Sequence, residues 1–116
     1  MLNTGNIMVT NDTEEIQCPV AATIELIGGK WKTLILYQLG FGTRRFGEIA
    51  VRIPTISRKV LTEQLKQLEH DGLVQRQQFK EIPPRVEYSL TSLGESLTPV
   101  MNQIATWGEN HLFNNR

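Results

Sequence analysis

The sequence predicts an α+β fold that is mainly α, and three features of the chain lead to this prediction. Two segments with apolar residues at helical spacing are separated by only three residues, 54–56. Two short segments, the second of which has alternating apolar residues, then flank Pro83-Pro84, and a long amphipathic segment follows. Apolar residues that recur every three to four positions indicate helix, whereas strict alternation indicates strand. A chain of 116 residues has room for one such domain and too little for two.

The composition favours a protein of the cytoplasm without a membrane-spanning segment. No apolar run approaches the roughly 18 residues that a membrane helix needs. The single cysteine excludes an intrachain disulfide framework and suits a reducing compartment. The first 13 residues lack the basic start and the apolar stretch of a signal peptide, and residues 1–16 form the segment before the expected domain. We interpret them as an N-terminal arm, mobile or dependent on a partner, and we expect residues 17–116 to form the domain.

Three helices are expected before the short turn at residues 54–56. The first begins at Cys18, because the proline that follows suits the first helical position, and it ends at Gly28. The second carries apolar residues at helical spacing and ends at Gly40. Residues 43–45 are predicted to be a short extended piece. The third is a short amphipathic helix that Pro54 ends, because proline cannot continue a helix.

The fourth helix has the best-marked ends in the sequence. Ser57 is a residue type that favours the N-cap, where its oxygen can accept a backbone N–H. Gly72 stands where a helix commonly ends with a left-handed residue, and Leu73 can then contact Leu68 across the cap. A strand over residues 73–79 and a second strand follow, and the alternation of the second one predicts a β-hairpin.

A final helix begins after Thr91 and carries an apolar stripe over about five turns. Pro99 lies inside this pattern and predicts a kink or break near residues 95–99. The stripe is longer than a domain of this size can cover, and a large exposed apolar surface commonly marks an interface. The alternative is that the stripe belongs only to the core. The residues predicted at a homodimer interface are Leu93, Leu97, Val100, Ile104 and Trp107.

Charge is unevenly distributed although the chain is neutral overall. Residues 30–85 hold 11 Lys or Arg against 5 Asp or Glu, a net charge of +6, and the two ends together carry a net charge of −6. A basic middle between acidic ends favours binding to a polyanion. On a helical wheel of the fourth helix, the basic and hydroxyl residues lie opposite the apolar ones. These residues are Arg58, Lys59, Thr62 and Lys66.

Two helices joined by a short turn and followed by a hairpin have the layout of a winged helix-turn-helix with a two-stranded wing. In this layout the second helix enters the DNA major groove and the hairpin reaches the flanking duplex. Pro83-Pro84 restrict the hairpin loop, so that Lys80 and Arg85 can be held toward a phosphate backbone with little loss of conformational freedom. The alternative is that the prolines only prevent edge-to-edge aggregation of the hairpin.

Four segments carry a resemblance to a known family: CPVAATIELIGGKWKTLIL, RRFGEIA, ISRKVLTEQLKQLEHDGLVQR and IPPRVEYSLTSLGESLTPVMNQIATWG. In this order and at these intervals, residues 18–107 resemble the HxlR-type bacterial winged-helix transcriptional regulators, a branch related to the MarR type. The resemblance implies a homodimer, with terminal dimerisation helices, that binds a palindromic or near-palindromic site in double-stranded DNA. It makes residues 57–66 the base-reading helix and residues 80–85 the wing. The DNA-contacting residues that it adds are Arg44, Arg45 and Ser57.

Cys18 is a candidate redox-sensing residue, and two interpretations of it stay open. Its position at a helix start is one that favours the reactive thiolate, and several regulators similar to this chain sense quinones, aldehydes or oxidants through a cysteine there. The resemblance therefore implies a small-molecule or oxidant effector. Against this, unligated cysteines are mostly small buried hydrophobic residues.

Two other function classes compete with DNA binding. An enzymatic function is disfavoured. His70 and His111 are the only histidines, and neither has a nucleophile or carboxylate at a spacing that would indicate a catalytic site. No glycine-rich phosphate loop is present in the sequence. We therefore predict no catalytic residues, no metal site and no cofactor. The second competitor is a winged-helix protein-interaction module, which would lack the basic face of the fourth helix.

Overall fold

The computed structural model describes residues 18–113, and helices form most of this part of the chain. The predicted arm, residues 1–16, lies outside the described residues. The elements follow in chain order as helices α1 (Pro19–Ile27) and α2 (Lys32–Leu39), strand β1 (Arg44–Arg45), helices α3 (Phe46–Arg52) and α4 (Arg58–His70), strands β2 (Val74–Phe79) and β3 (Arg85–Leu90), helices α5 (Ser92–Glu95) and α6 (Thr98–Gly108), and a π-helical turn (Glu109–Phe113). The predicted fold class, mainly helical with a small antiparallel sheet, is confirmed. None of the helices within residues 18–113 is long and apolar enough to cross a lipid bilayer.

Helix α4 begins and ends as predicted. The Ser57 hydroxyl accepts the backbone N–H of Val60 at 3.1 Å, which satisfies one of the free donors of the first turn. At the other end Gly72 adopts a left-handed φ of 78°. The N–H of Leu73 then donates to the carbonyl of Leu68 at 2.9 Å, which completes the predicted Schellman motif.

The sheet has three antiparallel strands in the order β1-β3-β2. Strands β2 and β3 form the predicted two-stranded wing, and the extended piece before α3 adds a third strand. In β1, Arg44 lies opposite Tyr88 and Arg45 lies opposite Glu87. Because side chains alternate along a strand, Tyr88 and Leu90 face inward, where each is 8% exposed.

The hydrophobic core lies between α2, α3, the apolar side of α4 and the inner face of the sheet. This placement follows from the amphipathic pattern, since each helix buries the one side that carries its apolar residues. The C-terminal helix α6 closes the core with Met101, which is 3% exposed. The largest fully buried side chains are Ile35, Leu36, Ile49, Leu61, Leu65, Leu68 and Leu73.

The predicted final helix is divided into α5 and α6, which confirms the expected break before Pro99. Thr91 fixes the start of α5: its hydroxyl accepts the N–H of Gly94 at 3.0 Å and donates to the carbonyl of Gly72 at 2.6 Å. The Thr91 N–H also donates to the carbonyl of Leu73 at 3.1 Å. The start of α5 is therefore attached directly to the end of α4.

Gly94 has no room for a side chain at this attachment, and we predict that Gly94→Ala destabilises the fold. A Cβ atom at position 94 would lie 2.1 Å from the backbone oxygen of Leu73, which cannot move without disturbing the hydrogen bond from Thr91. Overpacking of this kind costs about 1–3 kcal/mol, which urea denaturation followed by circular dichroism would measure. Gly47→Ala is the matched control, because a Cβ there meets nothing within 4 Å. Equal unfolding midpoints for the two variants would contradict the prediction.

Candidate nucleic-acid interface

The basic side of α4 is exposed to solvent. Arg58, Lys59, Thr62 and Lys66 are all exposed, while the opposite side of the same helix is buried in the core. The orientation predicted from the helical wheel is confirmed. Contact between these four side chains and DNA stays a prediction.

The first turn of α4 is held by contacts that the sequence patterns did not reveal. The guanidinium carbon of Arg58 lies 4.9 Å from the centre of the Phe46 ring, in a cation–π contact with the first residue of α3. The Thr62 hydroxyl donates to the carbonyl of Arg58 at 2.9 Å. The sequence predicted the segment before Pro54 only as a short amphipathic helix. The structure shows that Phe46, the first residue of this helix, also contacts the Arg58 side chain at the N-terminus of α4.

Strand β1 places Arg45 beside this first turn. Arg45 is exposed, and its backbone N–H donates to Glu48 Oε1 at 2.7 Å at the start of α3. Arg44 is half-buried, and its Nε donates to the carbonyl of Gln38 at 3.3 Å, so it is less available than Arg45. Arg45 directly precedes Phe46, and the Phe46 ring contacts Arg58 at the start of α4. We call Arg45, Arg58, Lys59, Thr62 and Lys66 the recognition surface.

Arg85 was expected to extend from the hairpin toward a phosphate backbone, and its contact with DNA stays a prediction, but the structure shows that partners within the hairpin already bind it. Its Nη2 lies 2.8 Å from Glu81 Oε2 and its Nη1 lies 2.6 Å from Glu87 Oε2. The guanidinium carbon also lies 3.8 Å from the centre of the Phe79 ring. The side chain therefore lies along the hairpin, because two carboxylates and an aromatic face hold it there. We call this arrangement the Arg85 clamp.

The clamp neutralises much of the positive charge of the wing. The hydrogen bond to Glu81 raises the pKa of Arg85 above its ordinary value, an effect that burial partly opposes and Glu87 reinforces. Arg85 thus stays cationic, but two carboxylates balance its charge locally. Lys80 is exposed as predicted and takes part in no ion pair among the described residues.

An exposed apolar surface lies on α6. Val100, Ile104 and Trp107 fall at helical spacing on one face and are 44%, 53% and 57% exposed. We call these three residues the terminal apolar surface. Of the other residues predicted at an interface, Leu93 on α5 is exposed as well, whereas Leu97 packs partly against the core of its own domain.

Cys18 is exposed and stands at the N-cap of α1. Within a single chain, Cys18 is therefore not a buried hydrophobic residue. Its carbonyl accepts the N–H of Ala22 at 2.9 Å, which begins the helix. Beyond it, Val20 and Ile24 are 70% and 58% exposed, so α1 presents apolar side chains on the surface of the chain.

An exposed basic helix that follows a tight turn and precedes a hairpin defines a winged helix-turn-helix DNA-binding protein. A sequence model of the HxlR-like helix-turn-helix family matches residues 26–116. The chain belongs to this family.

Similar proteins agree with this assignment. The chain is 47% identical over 94 residues to the HTH-type transcriptional regulator YdeP of Bacillus subtilis, a match that covers 81% of this chain and 73% of YdeP. Among solved structures, the redox regulator HypR in its oxidised form superposes with a TM-score of 0.77 at 45% identity, covering 81% of this chain and 97% of HypR. The reduced form of YodB from B. subtilis gives a TM-score of 0.70 at 38% identity, covering 82% of this chain and 94% of YodB.

These findings define the broad function. The chain is a member of a family of DNA-binding transcriptional regulators related to the MarR type, and its relatives are regulators of transcription. The structure neighbours include HypR, which is named a redox regulator, and YodB, which has been solved in a reduced and in a diamide-treated form.

Proposed function

We propose that this chain regulates transcription in the cytoplasm as a homodimer that binds a palindromic or near-palindromic operator. The observation that carries the proposal is the exposed basic side of α4 in a fold where that helix enters the major groove. Each subunit would contribute one recognition surface. Two-fold symmetry would place the two α4 helices about one DNA turn apart, roughly 34–36 Å.

The recognition surface can supply both kinds of contact that a specific complex needs. Arg58 and Lys59 lie in the first turn of α4, where base edges are usually met, and arginine can bind guanine through two hydrogen bonds. Thr62 and Lys66 follow on the same side one and two turns later. Arg45, with the less accessible Arg44, would contact the phosphate backbone, which orients the protein without reading sequence.

The terminal apolar surface supports the dimer. Three large side chains spaced along one face of α6 expose apolar area that pairing with a second chain would bury. Leu93 would extend the interface, and Val20 and Ile24 on α1 are available to it. Leu97 contributes mainly to the core.

Selection of DNA from a pool of random duplexes by the purified protein would test the proposal. Enrichment of inverted repeats with half-sites centred about 10 base pairs apart is the expected result. Protection of such a site from nuclease in the DNA upstream of the chain's own gene would support it further. Failure to enrich any sequence would contradict the proposal and favour a winged-helix protein-interaction module.

We further propose that Cys18 makes DNA binding responsive to oxidants or electrophiles. The thiol is exposed at the N-cap of α1, and HypR and YodB, which resemble this chain, have been solved in oxidised or diamide-treated forms. With one cysteine per chain, the accessible products are an alkylated thiol, a mixed disulfide with a small thiol, or a bridge between two subunits. In the bridge, two thiols give up two electrons and two protons to the oxidant as the S–S bond forms.

We expect diamide to change the affinity of the wild-type protein for its selected DNA and to leave Cys18→Ser unaffected. Gel shifts with and without diamide would measure the effect, and non-reducing electrophoresis would distinguish a bridged dimer from a mixed disulfide. Reversal by dithiothreitol is the control for a disulfide product. Equal insensitivity of the wild type and the variant would contradict a sensing role for Cys18.

A further inference from the structure

The tip of the wing, residues 80–84, ends in an apolar side chain. Ile82 is 100% exposed, and both Pro83 and Pro84 beside it are exposed. Single exposed apolar residues are common on protein surfaces and need no special role. Two further features of the hairpin indicate a specific role for Ile82.

The first feature is the low net positive charge around the tip. The Arg85 clamp engages the guanidinium with Glu81 and Glu87, and Lys80 is adjacent to Glu81 in the chain. Two cations therefore stand against two carboxylates, which makes the tip a weak ligand for phosphate. Beyond the exposed Lys80, a contact of the wing with DNA would have to be one that does not depend on charge.

The second feature is that the clamp orders the loop. Phe79 and Arg85 are paired across the two strands, and the guanidinium lies over the Phe79 ring while it binds Glu81 within the loop itself. The ends of the loop are thus joined to each other and to one of its own residues. A loop ordered before binding loses less conformational entropy when it enters a complex.

The tip also extends past Arg45, the β1 residue of the recognition surface. Arg45 is paired with Glu87, and the hairpin continues from Glu87 through Arg85 to the tip. At about 3.3 Å per residue, the end of the paired strands lies roughly 7 Å beyond Arg45. Arg45 adjoins Phe46, which contacts Arg58 at the start of α4. In the winged-helix layout, with α4 in the major groove, the hairpin reaches the flanking duplex.

We propose that Ile82, supported by Pro83, enters the minor groove beside the segment read by α4 and acts as an apolar wedge at a base step. The proposal rests on the proposed DNA-binding function. Isoleucine and proline are among the side chains that proteins insert between base steps, where they partly unstack the bases. The minor groove is about 6 Å wide, which suits a single narrow tip.

The experiment compares three variants on duplexes that the wild-type protein has selected, with 2-aminopurine placed at successive flanking steps. We expect Ile82→Ala to bind roughly 10-fold more weakly, because it loses apolar contact in both half-sites. The dependence of its affinity on salt should equal that of the wild type. The rise in 2-aminopurine fluorescence that accompanies wild-type binding should be lost. Ile82→Met keeps an apolar tip and should retain both affinity and fluorescence.

Lys80→Ala is the comparison for a charge contact, and it should reduce the salt slope by about one unit per wing without abolishing the fluorescence signal. Because Ile82 is wholly exposed, Ile82→Ala should keep the wild-type melting temperature. Three results for Ile82→Ala would overturn the proposal that Ile82 acts as a wedge. They are an affinity within twofold of wild type, a reduced salt slope, and an unchanged fluorescence signal. Failure of the wild-type protein to select any duplex would instead overturn the proposed function.

Discussion

Ile104→Glu is expected to dissociate the proposed dimer and to abolish binding to the proposed palindromic site at concentrations where the wild-type protein binds it. Ile104 is the central residue of the terminal apolar surface and is 53% exposed in the single chain. A glutamate there can stay hydrated in the monomer, so the domain should fold. In a dimer the same carboxylate would be buried without a partner, at an effective cost of several kcal/mol per subunit. Weakening by at least about 100-fold should follow, since each 1.4 kcal/mol is a factor of ten.

Analytical ultracentrifugation would measure the mass of the variant, and circular dichroism would confirm that it is folded. Val51→Glu is the matched control for oligomeric state. Val51 is an exposed apolar residue, 73% exposed, on α3 rather than on a terminal helix, and this variant should stay dimeric. A dimeric Ile104→Glu protein would show that the chains associate through another surface.

Arg58→Ala is expected to reduce affinity for the selected site by about 1–3 kcal/mol per half-site and to relax the preference for one base pair. The exposed guanidinium stands in the first turn of α4, held over the Phe46 ring, and is thus oriented before DNA arrives. Competition binding against all four base pairs at each half-site position would identify the pair that it reads.

Arg58→Lys separates base reading from simple charge. Lysine keeps the positive charge but cannot reproduce the planar pair of donors that arginine presents to guanine. This variant should therefore retain the salt dependence of the wild type and lose most of its discrimination. If Arg58→Ala keeps full specificity, the base-reading role belongs to another residue of the recognition surface.

The elements that local chemistry determines could be predicted from the sequence. Ser57 and Gly72 mark the two ends of α4 through capping and left-handed geometry, which act over a few residues and can be identified in any sequence. Pro99 breaks the last helical segment for an equally local reason. The exposed side of α4 was also predictable, because a helix with an apolar stripe has to turn its other side to solvent.

The details of the site that depend on contacts between elements could not be predicted in this way. Arg85 was expected to be available for DNA, since Pro83-Pro84 restrict the hairpin loop and could hold this side chain toward a phosphate backbone. Its three partners approach only when the hairpin closes, and no periodicity of the sequence encodes that arrangement. Phe46 under Arg58 is a similar case, because the contact joins two helices across a turn.

The attachment at Thr91 has a mechanical consequence. This residue binds the carbonyl of Gly72 and the N–H of Gly94, so the reading helix and the first C-terminal helix are joined at one point with no flexible linker between them. In the proposed dimer, a rotation of the C-terminal helices against the partner subunit would therefore be transmitted through Thr91 to the end of α4. A small change in the angle between the two subunits of this dimer would then alter the distance between their recognition surfaces on the duplex.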